Sequence, residues 1–173
     1  TVTTVVGISV IIGVMLCIGG IVFIEPLMRA FGASDASLPL AKDYAFWMFV
    51  AALANLPAQS MNCAARAESS VKISSIAVIT GALLNVILDP VFMFDWGFNM
   101  GVEGASLATT VSQFVTFFIM TYFYASGHSI IKIKAKSFQP NWKLIKAVAV
   151  IGIPTAVIQI CLSVAASLTN ISA

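Results

Sequence analysis

One carboxylate in this sequence stands inside a long apolar run. Asp89 follows Gly81-Ala82-Leu83-Leu84-Asn85-Val86-Ile87-Leu88 and precedes Pro90. In a helix Asn85 lies one turn before Asp89 and on the same side, so an amide oxygen and a carboxylate come together. Pro90 has no N–H, which leaves the carbonyl of Val86 without its helical partner beside them. An amide, a carboxylate and a freed carbonyl can hold a small cation, and the carboxyl can equally hold a proton. Acidic side chains at membrane depth characteristically face a cavity and serve ions. The plainer alternative is a wetted residue that caps the outer end of its helix.

Other polar residues recur at helical spacing within apolar runs. Asn55, Gln59, Asn62 and Arg66 are spaced i, i+4, i+7, i+11 and share one face. Ser74, Gly81, Asn85 and Asp89 form a second stripe, and Thr109, Ser112 and Thr116, with Gln113 beside them, a third. Thr155, Gln159, Ser163, Ser167 and Asn170 form a fourth. Taken singly, such residues read as helix–helix glue worth about 1 kcal/mol each. Amides on so many helices at once favour a shared polar cavity, with Asn55, Gln59, Asn62, Ser112 and Gln159 as candidate lining residues.

These residues are positioned by unusually apolar elements. Of 173 residues, 60% are hydrophobic and only 9% charged, far below the quarter that clothes a soluble domain. A bilayer core of roughly 30 Å needs about 20 helical residues to cross. Five stretches qualify: Thr4–Leu27, Tyr44–Ala65, Ile73–Phe94, Gly104–Ala125 and Ala147–Ala173. Barrel strands would alternate over about ten residues, so the fold class is all-α, a polytopic transmembrane helical bundle with about five spans. Asp89 then lies about 24 Å into the core, towards the outer face. The first segment has no polar stripe and reads as a packing or lipid-facing helix. The chain begins and ends inside apolar runs and is read as part of a longer protein with no signal peptide. Cys17, Cys63 and Cys161 lie within apolar segments at no metal-ligand spacing and read as small buried hydrophobes.

Charge in the connections sets an orientation. The first and third loops carry two basic residues, Arg29 and Lys42, against seven in the second and fourth, from Arg66 to Lys146. The basic side is normally cytoplasmic. Arg66, Glu68 and Lys72 read as interfacial charges, Trp96 and Trp142 as aromatic anchors, and Lys132, Lys134 and Lys136 as contacts to anionic headgroups. His128 falls in the inner loop, away from membrane depth. With no intramembrane histidine, no His-Glu-x-x-His and no second glycine in Gly104-Ala105-Ser106-Leu107-Ala108, an intramembrane enzyme is the weaker reading. The net charge of +2 carries little information about partners, and no nucleic-acid partner is expected.

Several stretches resemble the multidrug and toxic compound extrusion (MATE) transporters. Phe31-Gly32-Ala33-Ser34 and Ala41-Lys42-Asp43-Tyr44 resemble the loop between the family's helices three and four. Asn62 with Arg66-Ala67-Glu68 resembles the end of helix four, although Ser69 stands where the family has the glycine of a tight turn. The run from Gly81 to Pro90, then Gly101-Val102-Glu103-Gly104-Ala105 and Ala108-Thr109, resembles helix five, its outer loop and the start of helix six; Trp142 through Gly152-Ile153-Pro154 resembles the entry to helix seven. The resemblance implies helices three to seven of a twelve-helix, two-lobe transporter. Residues 1–126 would belong to the N-terminal lobe, 127–146 to a cytoplasmic inter-lobe loop and 147–173 to the first helix of the C-terminal lobe. It also implies export of small organic, often cationic, compounds in antiport with H⁺ or Na⁺, with no cofactor. The setting would be a multi-pass protein in the plasma membrane, a bacterial inner membrane. Asn85, Asp89 and Thr109 match the family's ion-site network. A flippase for lipid-linked saccharides, which shares the two-lobe plan, is the rival; its cavity would be more basic.

The charge count gives a topology that can be tested directly. Cysteines placed singly at Ser69 and Ser137, in a background lacking the native cysteines, should resist a membrane-impermeant thiol reagent added to intact cells. They should react once the membrane is opened; labelling from outside would reverse the orientation.

Overall fold

The computed structural model describes residues 2–94, 97–126 and 129, with single helical positions at Lys146, Val150, Val157, Ile158, Cys161 and Leu162. The helices below all belong to one compact unit, Val2–Ser137; the unit from Phe138 to Ala173 is represented by the single positions alone. Trp96, His128, Trp142, Gln159 and the lysines at 132, 134, 136 and 143 lie outside the described residues.

Every described element is a helix: α1 Val2–Val22, α2 Ile24–Ala30, α3 Leu38–Ala67, α4 Val71–Met93 and α5 Val102–Ala125. The first expected segment is therefore two helices, broken at Phe23, where φ −102° and ψ 19° leave the helical range. Pro26 explains the interruption, because its missing N–H and its ring both disfavour a continuous helix through the preceding turn. Among the described residues α1, α4 and α5 are long and apolar enough to cross a bilayer. Helix α3, at 30 residues, is longer than any of them. Lys42, Asp43 and the amide stripe dilute its apolar character.

Helices α3 and α5 form the centre. Helix α1 packs on α3 alone among the long helices, while α4 leans chiefly on α5 and touches α3 lightly. The core joins Val6 of α1, Met61 and Ala65 of α3, Ala77 of α4, and Met120 and Tyr124 of α5. Lipid tails are as apolar as leucine, so close backbone approach rather than hydrophobic expulsion holds such helices together. The buried residues are correspondingly small: Ala54, Ala58, Ala65, Ala77, Ser106 and Ala108 are all at most 2% exposed. The face that α1 turns to α3 is also small and includes Ser9, Gly13, Cys17 and Gly20. A Cβ at Gly13 would stand 3.2 Å from the Ala52 carbonyl oxygen. Helix α1 is thus a packing helix with Val10, Met15, Leu16 and Ile18 exposed on its other side. Of the cysteines expected to be buried, Cys17 is; Cys63 and Cys161 are exposed. The helical twist carries Cys63 off the buried face that holds Met61, Asn62 and Ala65.

The turn after α3 forms without its glycine. Ser69 takes φ 65°, its N–H bonds to the Arg66 carbonyl at 3.2 Å, and the Ser70 N–H bonds to the Ala65 carbonyl at 2.8 Å. This is the paired hydrogen-bond pattern of a left-handed helix terminus, normally reserved for glycine. A side chain held in that region costs about 1 kcal/mol. Ser69→Gly should therefore raise the thermal unfolding temperature of the detergent-solubilised full-length protein, and Ser69→Val should lower it. A lowered temperature for the glycine variant would contradict the left-handed geometry.

Candidate functional site

The three polar stripes of α3, α4 and α5 meet around one cavity of about 330 Å³. Helix α3 contributes Asn55, Gln59 and Asn62; α4 contributes Gly81 and Asn85; α5 contributes Thr109, Ser112, Gln113 and Thr116. Their spacing by three and four residues puts each set on one side of its helix. The space exists because the walls are small where helices touch: a side chain at Gly81 would collide with Thr116 and stand 3.4 Å from the Ser112 carbonyl. Gln159 lies outside the described residues, so its expected place at the cavity is left with the second unit.

The lining residues differ in what their polar atoms are already doing. Asn62 is 1% exposed; its amide donates to the Ala58 carbonyl at 3.0 Å and its oxygen accepts from the Ser74 hydroxyl at 3.0 Å. It borders the cavity, but its amide group is committed to joining α3 to α4. Asn55 and Gln59 are exposed to the open space.

Asn85 joins the cavity to Asp89. Its Nδ2 donates to Asp89 Oδ1 at 3.2 Å and to Thr109 Oγ1 at 3.3 Å, while the Thr109 hydroxyl donates to the Ala105 carbonyl at 3.0 Å. Asp89 sits one turn before the end of α4, partly buried, and takes no part in the ion pairs among the described residues. It does not itself line the cavity; Asn85 and Thr109 do. A carboxylate, an amide and a hydroxyl on two helices offer oxygen ligands of the kind that hard cations prefer. Among the described residues no three His, Cys, Asp or Glu side chains gather as a metal site.

Further ties, at both ends of the bundle, had no separate signal in the sequence. The Trp47 ring nitrogen donates to Glu103 Oε1 at 2.9 Å, and the Thr110 hydroxyl donates to the Trp47 carbonyl at 2.8 Å, fixing α3 to the first turns of α5. At the opposite end Tyr124 donates to the Met61 carbonyl at 3.1 Å, and Ser129 lies 2.9 and 2.8 Å from the two oxygens of Glu68. Glu68 thus holds the start of the next loop as well as carrying interfacial charge. In the first loop Arg29 pairs with Asp35 at 2.9 Å and with Glu25 at 3.4 Å, and Glu25 also pairs with Lys42. The hydrogen bond and charge of Lys42, then Arg29, hold the Glu25 carboxyl below the usual carboxylate range.

These commitments separate glue from open lining. Ser74→Ala leaves the buried Asn62 oxygen without its donor, a loss of about 1–3 kcal/mol. That variant should lower the amount of folded full-length protein while leaving export per molecule unchanged. Asn55→Phe and Gln59→Phe should do the reverse, lowering drug export more than abundance. Equal losses of abundance for all three would make the whole stripe packing.

Comparison with known proteins gives the arrangement its relatives. The chain is 25% identical over 163 residues to the multidrug export protein MepA of Staphylococcus aureus, an alignment covering 94% of this chain and 36% of that protein. It is 28% identical over 135 residues to an FAD transporter of Shewanella oneidensis, covering 75% of this chain and 30% of the relative. The chain therefore spans about a third of the length of the curated relatives it matches. A solved outward-facing conformation of a multidrug resistance MATE family transporter of the MOP superfamily superposes with a TM-score of 0.86 at 28% identity, over 95% of this chain and 36% of that one. Residues 1–91 match the family model described as MatE, and the chain, an all-helical membrane bundle, belongs to that family of transporters.

Proposed function

We propose that the complete protein is a secondary active exporter of small organic compounds, cationic or neutral, driven by inward flow of H⁺ or Na⁺. It alternates access to a central cavity of which the α3–α4–α5 space is one wall. The observation that carries this reading is the chain Asp89–Asn85–Thr109, which runs from a carboxylate in no ion pair among the described residues to the cavity lining. The multidrug export named for the Staphylococcus aureus relative supports the same reading. The protein works in the plasma membrane, a bacterial inner membrane, with the Arg66–Lys72 turn on the cytoplasmic side, and the bilayer is its solvent.

The lining favours such cargo over anions. Among the described residues no Lys, Arg or His lines the cavity; Arg29, Lys42, Arg66 and Lys72 sit near helix ends. The diphosphate of the FAD named for the Shewanella relative, or of a lipid-linked saccharide, would find no cation on this wall. Asn85 links coupling to cargo, because the same side chain bonds the carboxylate and faces the cavity.

The test is ion-gradient-driven export by the full-length protein reconstituted in liposomes. Asp89→Asn keeps shape and removes charge, so coupled export should fall at least tenfold with abundance unchanged. Asn85→Ala removes a neutral ligand and should weaken coupling less. Normal coupled export by Asp89→Asn would leave Asp89 as a helix-end residue and place the ion site elsewhere.

A further inference from the structure

The face that α4 buries is built from small residues, Ser74, Ala77 and Gly81. Another face is different. Lys72, Ile76, Ile79, Leu83 and Ile87 share it, at i, i+4, i+7, i+11 and i+15. The four apolar members are each more than half exposed. Large branched side chains with no small residue among them suit lipid tails, whereas helix partners need close backbone approach. Lys72 is exposed at the head of this stripe and enters no ion pair among the described residues. A lysine so placed lays its stem over hydrocarbon and holds its ammonium at headgroup level.

Between α4 and α5, at the end that bears Lys72, runs a groove of about 300 Å³ lined by Ile73, Ile119, Tyr122, Phe123 and Ser126. The α5 members are spaced i, i+3, i+4 and i+7, so the groove follows that helix for about 10 Å. It shares no residue with the cavity of Asn55 and Gln59. Its walls are apolar, and hydroxyls enter only at Tyr122, itself 74% exposed, and at Ser126. Among the described residues no acidic side chain lines it; Glu68, at the same end of the bundle, faces Ser129. An apolar slot therefore opens beside a cation at the membrane surface.

We infer that this groove binds an anionic phospholipid of the cytoplasmic leaflet. The first part of one acyl chain lies along Ile119, Tyr122 and Phe123, against Ile73. The phosphate meets the Lys72 ammonium, with the Tyr122 hydroxyl as a second donor at the mouth. Charge selects the lipid, because a lysine at the membrane surface attracts an anionic headgroup. A zwitterionic lipid carries its own cation and gains only the chain contact. Glycerol phosphate has no chain to bury and is not the ligand. The leaflet follows from the basic residues of this end. Asp89 and the cavity play no part, so this site and the export reading stand or fall separately.

The experiment uses the full-length protein in detergent micelles, with bound lipids counted by native mass spectrometry. Lys72→Gln should weaken binding of the first dioleoyl phosphatidylglycerol about fivefold and leave dioleoyl phosphatidylcholine unchanged. Arg66→Gln, at the same end but on α3, should change neither. A phosphatidylglycerol with a diazirine in its acyl chain should label residues 119–126. Unlabelled phosphatidylglycerol should displace that label, and glycerol 3-phosphate should not. No effect of Lys72→Gln, or equal weakening by Arg66→Gln, would reduce the contact to general attraction and overturn the site. Absence of label from residues 119–126 would overturn it as well, because another part of the full-length protein would then cover the groove. Displacement by glycerol 3-phosphate would overturn the lipid as ligand.

Discussion

A hydrocarbon solvent accepts no hydrogen bonds, and this chain is arranged around that fact. Each polar atom in a transmembrane segment needs a partner within the protein. Among the described residues no buried side-chain nitrogen or oxygen lacks one. The cheapest partner is the carbonyl one turn back, which is why serines and threonines of α5 from Ser106 to Thr121 donate into their own helix. That local solution lets α5 carry hydroxyls past apolar neighbours. It also fixes their polarity, since a hydroxyl that donates backwards can only accept forwards.

The remaining polar bonds run between helices, and they determine which pairs are firm. Helix α3 is tied to α5 at both ends, through Trp47 and Thr110 at one and Tyr124 and Met61 at the other. Helix α4 has fewer such ties. Ser74 reaches Asn62 near its start and Asn85 reaches Thr109 further along. Between them Gly81 lets α4 approach Thr116 without a side chain in the way. The cavity lies where α4 stands off from α3, so the same looseness that opens the space also leaves Asn55 and Gln59 without hydrogen-bond partners among the described residues.

Periodicity made much of this legible. The i, i+4, i+7 spacing of Asn55, Gln59 and Asn62 put them on one face, and the structure turns that face to the stripes of α4 and α5. Asn85, Asp89 and Thr109 come together as the spacing and the resemblance to known transporters suggested. What spacing cannot give is the partner of a particular atom. Asn62 and Gln59 look alike in the sequence, yet the first is bonded at both ends and the second is open. The Trp47–Glu103 bond joins residues 56 positions apart and has no periodic signature. The break at Phe23 was obscured because apolar residues flank Glu25 and Pro26 on both sides, and the small-residue face of α1 because glycine and serine look unremarkable until a neighbour's backbone is seen against them.

The polarity of α3 has a consequence for how the protein is made. With Lys42, Asp43 and three amides, α3 is a weaker candidate for entry into the bilayer than α1, α4 or α5. Its firmest partner, α5, ends 58 residues after α3 does. At roughly 5–20 residues per second, the ribosome completes α5 several seconds later. During that interval α1 is the finished neighbour with a matching face: Ser9 meets Ser60, and Gly13 and Gly20 lie against Ala52 and Phe49. The glycine face of α1 therefore gives α3 a closely fitted neighbour that precedes it in the chain, whereas α5 follows only later.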